Sequence, residues 1–391
     1  MRIGIDATCW SNRRGFGRFA RELLWAIARL GTDDAYILFA DRQTAAAAEF
    51  PPGWRVRVGD TAEAPTRAAA ANGRRSLRDL LVMRRLVQRE ALDLIFFPAV
   101  YSYFPVGGTT PCLVTFHDVI ADTLPHLVFQ TQRSRLFWSL KSRLAVRRAS
   151  RVMTVSEASK QGLMHTFGLS ADQVCIVSEA ASAVFGPVAC CGDLHQAALA
   201  RHHVQPGERY LLYVGGISPH KNLGTLIDGF ALVVREPAYR DVRLILVGDY
   251  AGDVFRTCYA ELQQQTLRLG ITDRVHFTGF VPDADLVHLY AAAQAFVFPS
   301  YLEGFGLPAV EALACGAAVV ASNRGPLPEV LNGAGCLFDP HNVTSLVQAL
   351  RQVLADAGYR AALRARSLAR SRAFSWEQSA QRAVTLFHEI L

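Results

Sequence analysis

The residues best equipped for chemistry lie in 299–316, which read Pro-Ser-Tyr-Leu-Glu-Gly-Phe-Gly-Leu-Pro-Ala-Val-Glu-Ala-Leu-Ala-Cys-Gly. An apolar run, AFVFPS, leads into a glycine-containing loop and then a helix expected to begin near Leu307. Pro308 suits its first turn and Gly316 its C-terminal stop. Free backbone N–H groups at such a helix start form an anion site, and Gly304 and Gly306 let a diphosphate approach the backbone. Glu303 precedes the helix and Glu311 lies one turn inside it. Each carboxylate is placed to accept hydrogen bonds from the vicinal hydroxyls of a sugar.

Three further segments carry candidate groups. In YVGGISPHKN, 213–222, Gly215 and Gly216 follow a strand and permit close approach to a phosphate. Lys221 supplies a cation for charge developing on a leaving diphosphate, with His220 beside it. The alternative, a surface lysine at a helix start, sets a cation against the helix dipole. In TFHDVI, 115–120, His117 and Asp118 at a strand end form a candidate catalytic dyad, although a lone histidine can also be structural. In IDATCWSNRRGFGRFARELL the first strand ends at Asp6 and a helix is expected near Gly17. Gly15 and Gly17 sit in the turn, and Arg13, Arg14 and Arg18 add positive charge. No cluster has metal-ligand spacing, so neither a metal nor a cofactor is expected.

These segments need a scaffold that gathers strand ends. Strand candidates fall at 2–7, 36–41, 54–60, 92–98, 112–118, 151–157 and 174–179, then at 210–216, 242–249, 274–280, 295–300, 317–322 and 335–339. They alternate with helical stretches, which predicts an α/β class with parallel sheets covered on both faces. Open sheets of this kind hold ligands at the carboxyl ends of their strands, where many of these runs finish in Gly, Asp, Ser or His. Segment 186–208 breaks the alternation and reads as an interdomain linker. A final helix is expected after Ser375, an N-cap.

With 391 residues, half of them hydrophobic, the chain is globular and long enough for two domains. No apolar stretch is long enough to span a bilayer, and the N-terminus does not read as a secretory signal, so a soluble cytoplasmic protein is expected. Eight cysteines without a C-x-x-C pair are expected to be buried reduced thiols. The formal charge of +7 is concentrated in two arginine-rich stretches, 74–89 and 133–151. In the second, Leu136, Leu140 and Leu144 repeat at helical spacing beside Phe137 and Trp138. This describes either a basic amphipathic helix for an anionic membrane surface or lipid phosphate, or a solvated helix packed on the domain core. No motif for nucleic acid accompanies the charge.

The segment EGFGLPAVEALACG resembles the E-x7-E signature of glycosyltransferase family 4, also called the group 1 glycosyltransferases. SNRGPLPEV (322–330), LFDP (337–340) and VMTVSEASKQGL (152–163, with Ser156 and Lys160) resemble that family too. The resemblance implies the GT-B architecture, two facing Rossmann-like domains with the active site in the cleft between them. It places an acceptor-side domain at 1–190, a donor-side domain at 205–372 and a C-terminal helix, 373–391, packing back on the first domain. It gives Glu311 the ribose hydroxyls of the nucleotide and Glu303 the hydroxyls of the transferred sugar, supported by the backbone of Phe305, Gly306 and Leu307. It brings His117 near the donor sugar, with Asp118 orienting it or placing the acceptor, and closes the glycine-rich loop of Gly15 and Gly17 over the donor phosphate, with Arg18 toward the acceptor. Two departures stand out: Gly216 occupies the place of a usual arginine, and SEAASAVF, 178–185, replaces a P-N-G-V-D run.

The family's retaining chemistry implies front-face attack, the leaving phosphate accepting the acceptor's proton, with no metal required. Hexosyl transfer is expected from a nucleotide-diphosphate sugar, GDP-mannose ahead of UDP-hexoses, to a saccharide or lipid-linked acceptor in surface-polysaccharide or glycolipid synthesis. Such a protein could sit peripherally at the inner face of the membrane. Two other classes compete: a non-catalytic nucleotide-sugar-binding subunit and a dinucleotide-dependent oxidoreductase. The second lacks the G-x-G-x-x-G fingerprint it needs.

Overall fold

The computed structural model describes residues 1–12, 14–61, 76–189, 192–205, 207–250 and 257–391. They form two units. One comprises Met1–Glu179 together with Ser375–Leu391, and the other Ala180–Phe374.

The first unit is built on a seven-stranded sheet of β1 (Arg2–Asp6), β2 (Ala35–Asp41), β3 (Arg55–Gly59), β4 (Leu94–Phe97), β5 (Cys112–Thr115), β6 (Arg151–Thr154) and β7 (Val174–Ile176). Its order is β3-β2-β1-β4-β5-β6-β7, and every paired neighbour is parallel. The second unit holds a six-stranded parallel sheet of β8 (Tyr210–Val214), β9 (Arg243–Val247), β10 (Val275–Gly279), β11 (Ala295–Phe298), β12 (Val319–Ser322) and β13 (Gly335–Phe338), in the order β10-β9-β8-β11-β12-β13. Each strand candidate in the sequence is a strand here, usually shortened at its carboxyl end. The reason is chemical. Leu94–Phe97 and Val319–Ser322 are buried along their whole length, as both faces of a helix-covered sheet require, and Pro98 and Asn323 follow where the chain leaves the sheet.

Both sheets reverse their winding once, at β1 between β2 and β4 and at β8 between β9 and β11. Loops leaving adjacent strands at such a point run in opposite directions and open a crevice. Of the candidate groups, Gly215, Gly216 and Lys221 lie in 215–222 after β8, and Glu303, Gly304, Phe305 and Gly306 in 299–306 after β11, while in the first unit His117 and Asp118 follow β5, the neighbour of β4.

The first helix spans Gly15–Leu30 and so starts two residues before the expected Gly17. Arg14, extended at φ −82 and ψ 174, is its N-cap. Gly17 lies inside the first turn, where a Cβ would stand 2.1 Å from the Asn12 carbonyl oxygen. The last helix, Trp376–Glu389, begins after Ser375, whose side chain accepts from Gln378 N. It lies on the first helix within the first unit. Trp376 packs 5.9 Å from Phe19 and Phe387 5.3 Å from Phe96, while Ser379 Oγ donates to Ser178 O at 2.7 Å.

The basic stretch 133–151 is a helix over Gln132–Arg148, after which Arg151 opens β6. Its buried residues are Trp138, Ser142 and Ala145, whereas Leu136, Phe137, Leu140 and Leu144 are exposed. The leucine stripe is therefore not packed on the domain core. The stretch 74–89 forms the Leu77–Gln88 helix, with 74 and 75 outside the described residues. Cys9, Cys112, Cys315 and Cys336 are buried free thiols, and burial pushes Cys9 and Cys112 up to about 12. Cys175 and Cys258 are half-exposed, against expectation, while Cys190 and Cys191 lie outside the described residues. Among the described residues, no helix is long and apolar enough to cross a membrane.

Candidate active site

In the second unit, the loop after β8 is shaped by two residues with positive φ. Gly215 has φ 152, and a Cβ there would meet the Tyr213 hydroxyl at 2.6 Å. That hydroxyl donates to Gly216 O at 2.8 Å. Burial, reinforced by the charge of Glu303, pushes Tyr213 well above its ordinary value, so it remains a donor. A short 3-10 turn, Pro219–Lys221, then ends at Asn222 in the left-handed region, φ 57.

Nothing in the sequence marks Asn222 as special. Its buried side-chain amide donates to Pro299 O at 3.1 Å and Pro340 O at 2.9 Å. Tyr301 N donates to His220 O at 3.0 Å. The loops leaving β8, β11 and β13 are thus tied into one rim, which compensates the unfavourable backbone of Asn222.

Across that rim Lys221 meets Glu303. Its Nζ donates to both carboxylate oxygens, at 2.7 and 2.9 Å, with the two side chains only 15% and 9% exposed. The ammonium also stands 5.4 Å from the centre of the Phe298 ring. Glu303, Gly304, Phe305, Gly306 and Leu307 are all buried. Gly306 has φ 99 and caps the Leu307–Ala314 helix, which begins where the sequence predicts. A Cβ on Gly306 would strike Leu327 at 2.7 Å. Glu311 is buried inside this helix and accepts from Tyr290 Oη at 3.2 Å.

Gly216 differs from the glycines around it. Its φ is not positive, and a Cβ there would find only Ser218 Oγ, at 3.7 Å. The space that a side chain would need is open.

In the first unit, His117 lies just past the end of β5, buried with its ring edge-on to Phe19 at 4.8 Å. Nε2 lies 3.0 Å from Pro98 O, in the loop after β4, and Nδ1 lies 3.4 Å from Glu179 Oε1. The carboxylate that faces Nδ1 is Glu179, while Asp118 Oδ1 accepts from Ile120 N at 2.8 Å. Glu179 belongs to the stretch where the sequence departs from P-N-G-V-D, and that departure is the one signal available for it. Ser156 caps the Glu157–Phe167 helix by accepting from Ser159 N, and Ser159 Oγ donates to His117 O at 3.1 Å. The V-S-x-x-S run thus fixes the backbone of the histidine.

Gly15 is exposed, and a Cβ there would find nothing within 4 Å, whereas Arg14 and Arg18 are half-buried around the first helical turn. Arg13 lies outside the described residues. Among the described residues no group of three or more His, Cys, Asp or Glu side chains is placed to hold a metal ion.

Two families match the chain. Glycosyltransferase Family 4 matches residues 13–180, and Glycosyl transferases group 1 matches residues 196–370. O-antigen chain mannosyltransferase B of Escherichia coli is 33% identical over 279 residues, covering 70% of this chain and 69% of that protein. A serotype-specific mannosyltransferase of the same organism is 31% identical over 62% of this chain, but the match spans only 29% of its length. Among solved structures, sucrose-phosphate synthase from Thermosynechococcus elongatus superposes with a TM-score of 0.76 at 21% identity, over 100% of this chain and 99% of its own. HepE of Anabaena, solved with UDP-glucose, gives 0.71 at 23% identity over 99% of both chains. Two parallel Rossmann-like sheets in this order, shared across such distant sequences, are the GT-B fold. This chain belongs to the family 4, group 1 glycosyltransferases.

Proposed function

We propose that the protein is a retaining, metal-independent hexosyltransferase that moves a mannosyl unit from GDP-mannose to a saccharide or lipid-linked acceptor in surface-polysaccharide synthesis. The O-antigen mannosyltransferase relative supports mannose over other hexoses, while the UDP-glucose held by HepE keeps a UDP-sugar as the competing donor. The second unit serves the donor and the first the acceptor. A location at the inner face of the membrane fits a lipid-linked acceptor.

The observation that carries this reading is the Lys221–Glu303 pair, set just before the N-terminus of the helix that holds Glu311 one turn inside it. A covalent glycosidase needs a carboxylate left free as nucleophile. Here Glu303 is engaged by an ammonium. A donor diphosphate competes with Glu303 for Lys221 and turns the carboxylate over to the sugar hydroxyls. Lys221 and the N–H groups at Leu307 then stabilise the departing nucleoside diphosphate, whose phosphate oxygen accepts the acceptor's proton. Glu311 holds the ribose, and His117, fixed by Pro98 and Glu179, positions the sugar.

A thermal-shift panel of GDP-, UDP- and ADP-sugars, followed by product analysis with the best donor in the presence of a chelator, tests each element. The expected result is a shift with GDP-mannose and an α-linked product whose yield is unaffected by chelation. An inverted anomeric centre, or turnover abolished by the chelator, removes the mechanism. A shift without product leaves only a nucleotide-sugar-binding subunit.

A further inference from the structure

The Gln132–Arg148 helix of the first unit presents an apolar face to solvent. Leu136 is 73% exposed, Leu140 57%, Phe137 47% and Leu144 41%. At about 100° per residue these four side chains occupy an arc of roughly 100°, with Arg133 and Arg147 inside it and Arg143 at its edge. The opposite side is firmly held. Trp138 is buried, donates to Asp122 Oδ2 at 3.1 Å and packs 5.1 Å from Tyr101. Lys141 Nζ donates to Tyr101 O at 2.9 Å, and Arg148 donates to Thr110 O at 2.6 Å. The helix is thus anchored by its inner face with its leucines turned outward.

Four large apolar side chains exposed together on one helix are unusual for a soluble surface, and their surroundings say what covers them. The helix has no acidic residue. Arginines interleaved with leucines suit a partner that is apolar inside and anionic at its edge, because long arginine stems can lie along apolar material while their heads reach phosphates. We propose that this face docks flat on an anionic lipid bilayer, with Leu136, Leu140, Leu144 and Phe137 entering the acyl boundary and the arginines engaging lipid phosphates. Docking rests on the helix alone; its use, bringing a lipid-linked acceptor to the first unit, rests on the function proposed above.

The test is co-sedimentation of the full chain with phosphatidylcholine vesicles, with and without about 30% phosphatidylglycerol, over a range of salt. Binding is expected only to the anionic vesicles and is expected to fall as salt rises. Leu140→Ser and the double variant Arg143→Gln/Arg147→Gln are each expected to lower partitioning about tenfold or more. Arg366→Gln/Arg372→Gln removes equal charge from exposed positions in the second unit and is expected to leave binding unchanged. All these side chains are exposed, so unfolding midpoints stay near the wild-type value. Equal loss in both arginine pairs reduces the effect to net charge and overturns the docking face. So does wild-type binding that survives Leu140→Ser. A concentration-dependent dimer abolished by Leu140→Ser, without vesicle binding, assigns the face to a second copy instead. Because no donor enters this assay, its failure leaves the glycosyltransferase reading intact, and failure of the donor panel leaves vesicle binding intact.

Discussion

Lys221 Nζ bridges both carboxylate oxygens of Glu303, a residue 82 positions away, at 2.7 and 2.9 Å inside the rim of the second unit. Glu303 left alone is a buried charge. Lys221→Ala is therefore expected to cost about 3 kcal/mol of stability as well as about a hundredfold in turnover. The double variant Lys221→Met/Glu303→Gln should recover most of that stability and none of the activity. Denaturant titrations and single-turnover rates on the wild type, Lys221→Met, Glu303→Gln and the double variant separate the two effects. Additive stability losses would show the pair to be uncoupled.

Glu311 is expected to act on affinity and not on the chemical step. Glu311→Ala should weaken nucleotide binding by about a hundredfold, as loss of a charged hydrogen-bonding partner does. Tyr290→Phe removes one donor to that carboxylate and should weaken binding only several-fold. Calorimetry with the preferred nucleoside diphosphate decides, and unchanged affinity in Glu311→Ala refutes the assignment.

Glu179 faces His117 Nδ1 while Pro98 O takes Nε2. Glu179→Gln keeps the shape of this side chain and removes the charge that faces Nδ1. Turnover should fall about tenfold with donor affinity unchanged, and Glu179→Ala should fall further. A matched loss of nucleotide affinity points instead to a general disturbance of the first unit.

Much of this arrangement is legible in the sequence because it is local. Period and length announce the strands, and Leu-Pro after Gly-Phe-Gly announces the Leu307–Ala314 helix, whose start decides where Glu303 and Glu311 stand. The partners of those groups are not local. Nothing near Lys221 says that its ammonium meets Glu303, nothing near Asn222 says that its amide spans two proline carbonyls, and nothing near His117 says that Glu179, 62 positions on, faces its Nδ1. The leucines at 136, 140 and 144 show the limit most plainly. Spacing marks them as one helical face, but only packing shows which face Trp138 turns inward.

Gly216 offers a gain-of-function test. Its backbone angle and open surroundings accept a side chain, so Gly216→Arg is expected to fold normally. A second cation near Lys221 should tighten nucleoside diphosphate binding about tenfold, and the gain should shrink as salt rises. A loss of affinity shows that the backbone at this glycine, and not missing charge, is what the diphosphate uses.

Acid sensitivity of the second unit should centre on Asp285. Arg201 donates to it through Nη2 at 2.5 Å and Nε at 3.1 Å, and His202 Nε2 lies 2.9 Å away. The Arg201 hydrogen bonds hold this carboxyl below its ordinary value of 3.8, outweighing partial burial, and His202 adds to the effect. A lowered folded-state value stabilises the fold above the unfolded value, and that contribution is lost as pH falls through the folded one. Below about pH 4 the wild type should lose this increment, whereas Asp285→Asn should lack it at neutral pH and show a flatter acid limb. Unfolding midpoints of both proteins between neutral and acid pH provide the comparison; parallel curves exclude the contribution.

The first unit draws its final helix from the far end of the chain, so the second unit is in effect inserted within the first. During synthesis Ala180–Phe374 emerges whole, whereas the first unit waits for Trp376 and Phe387 to meet Phe19 and Phe96. The unit that holds Lys221, Glu303 and Glu311 can thus mature first, leaving the unit that carries the exposed leucines to close only when Trp376–Glu389 has been made.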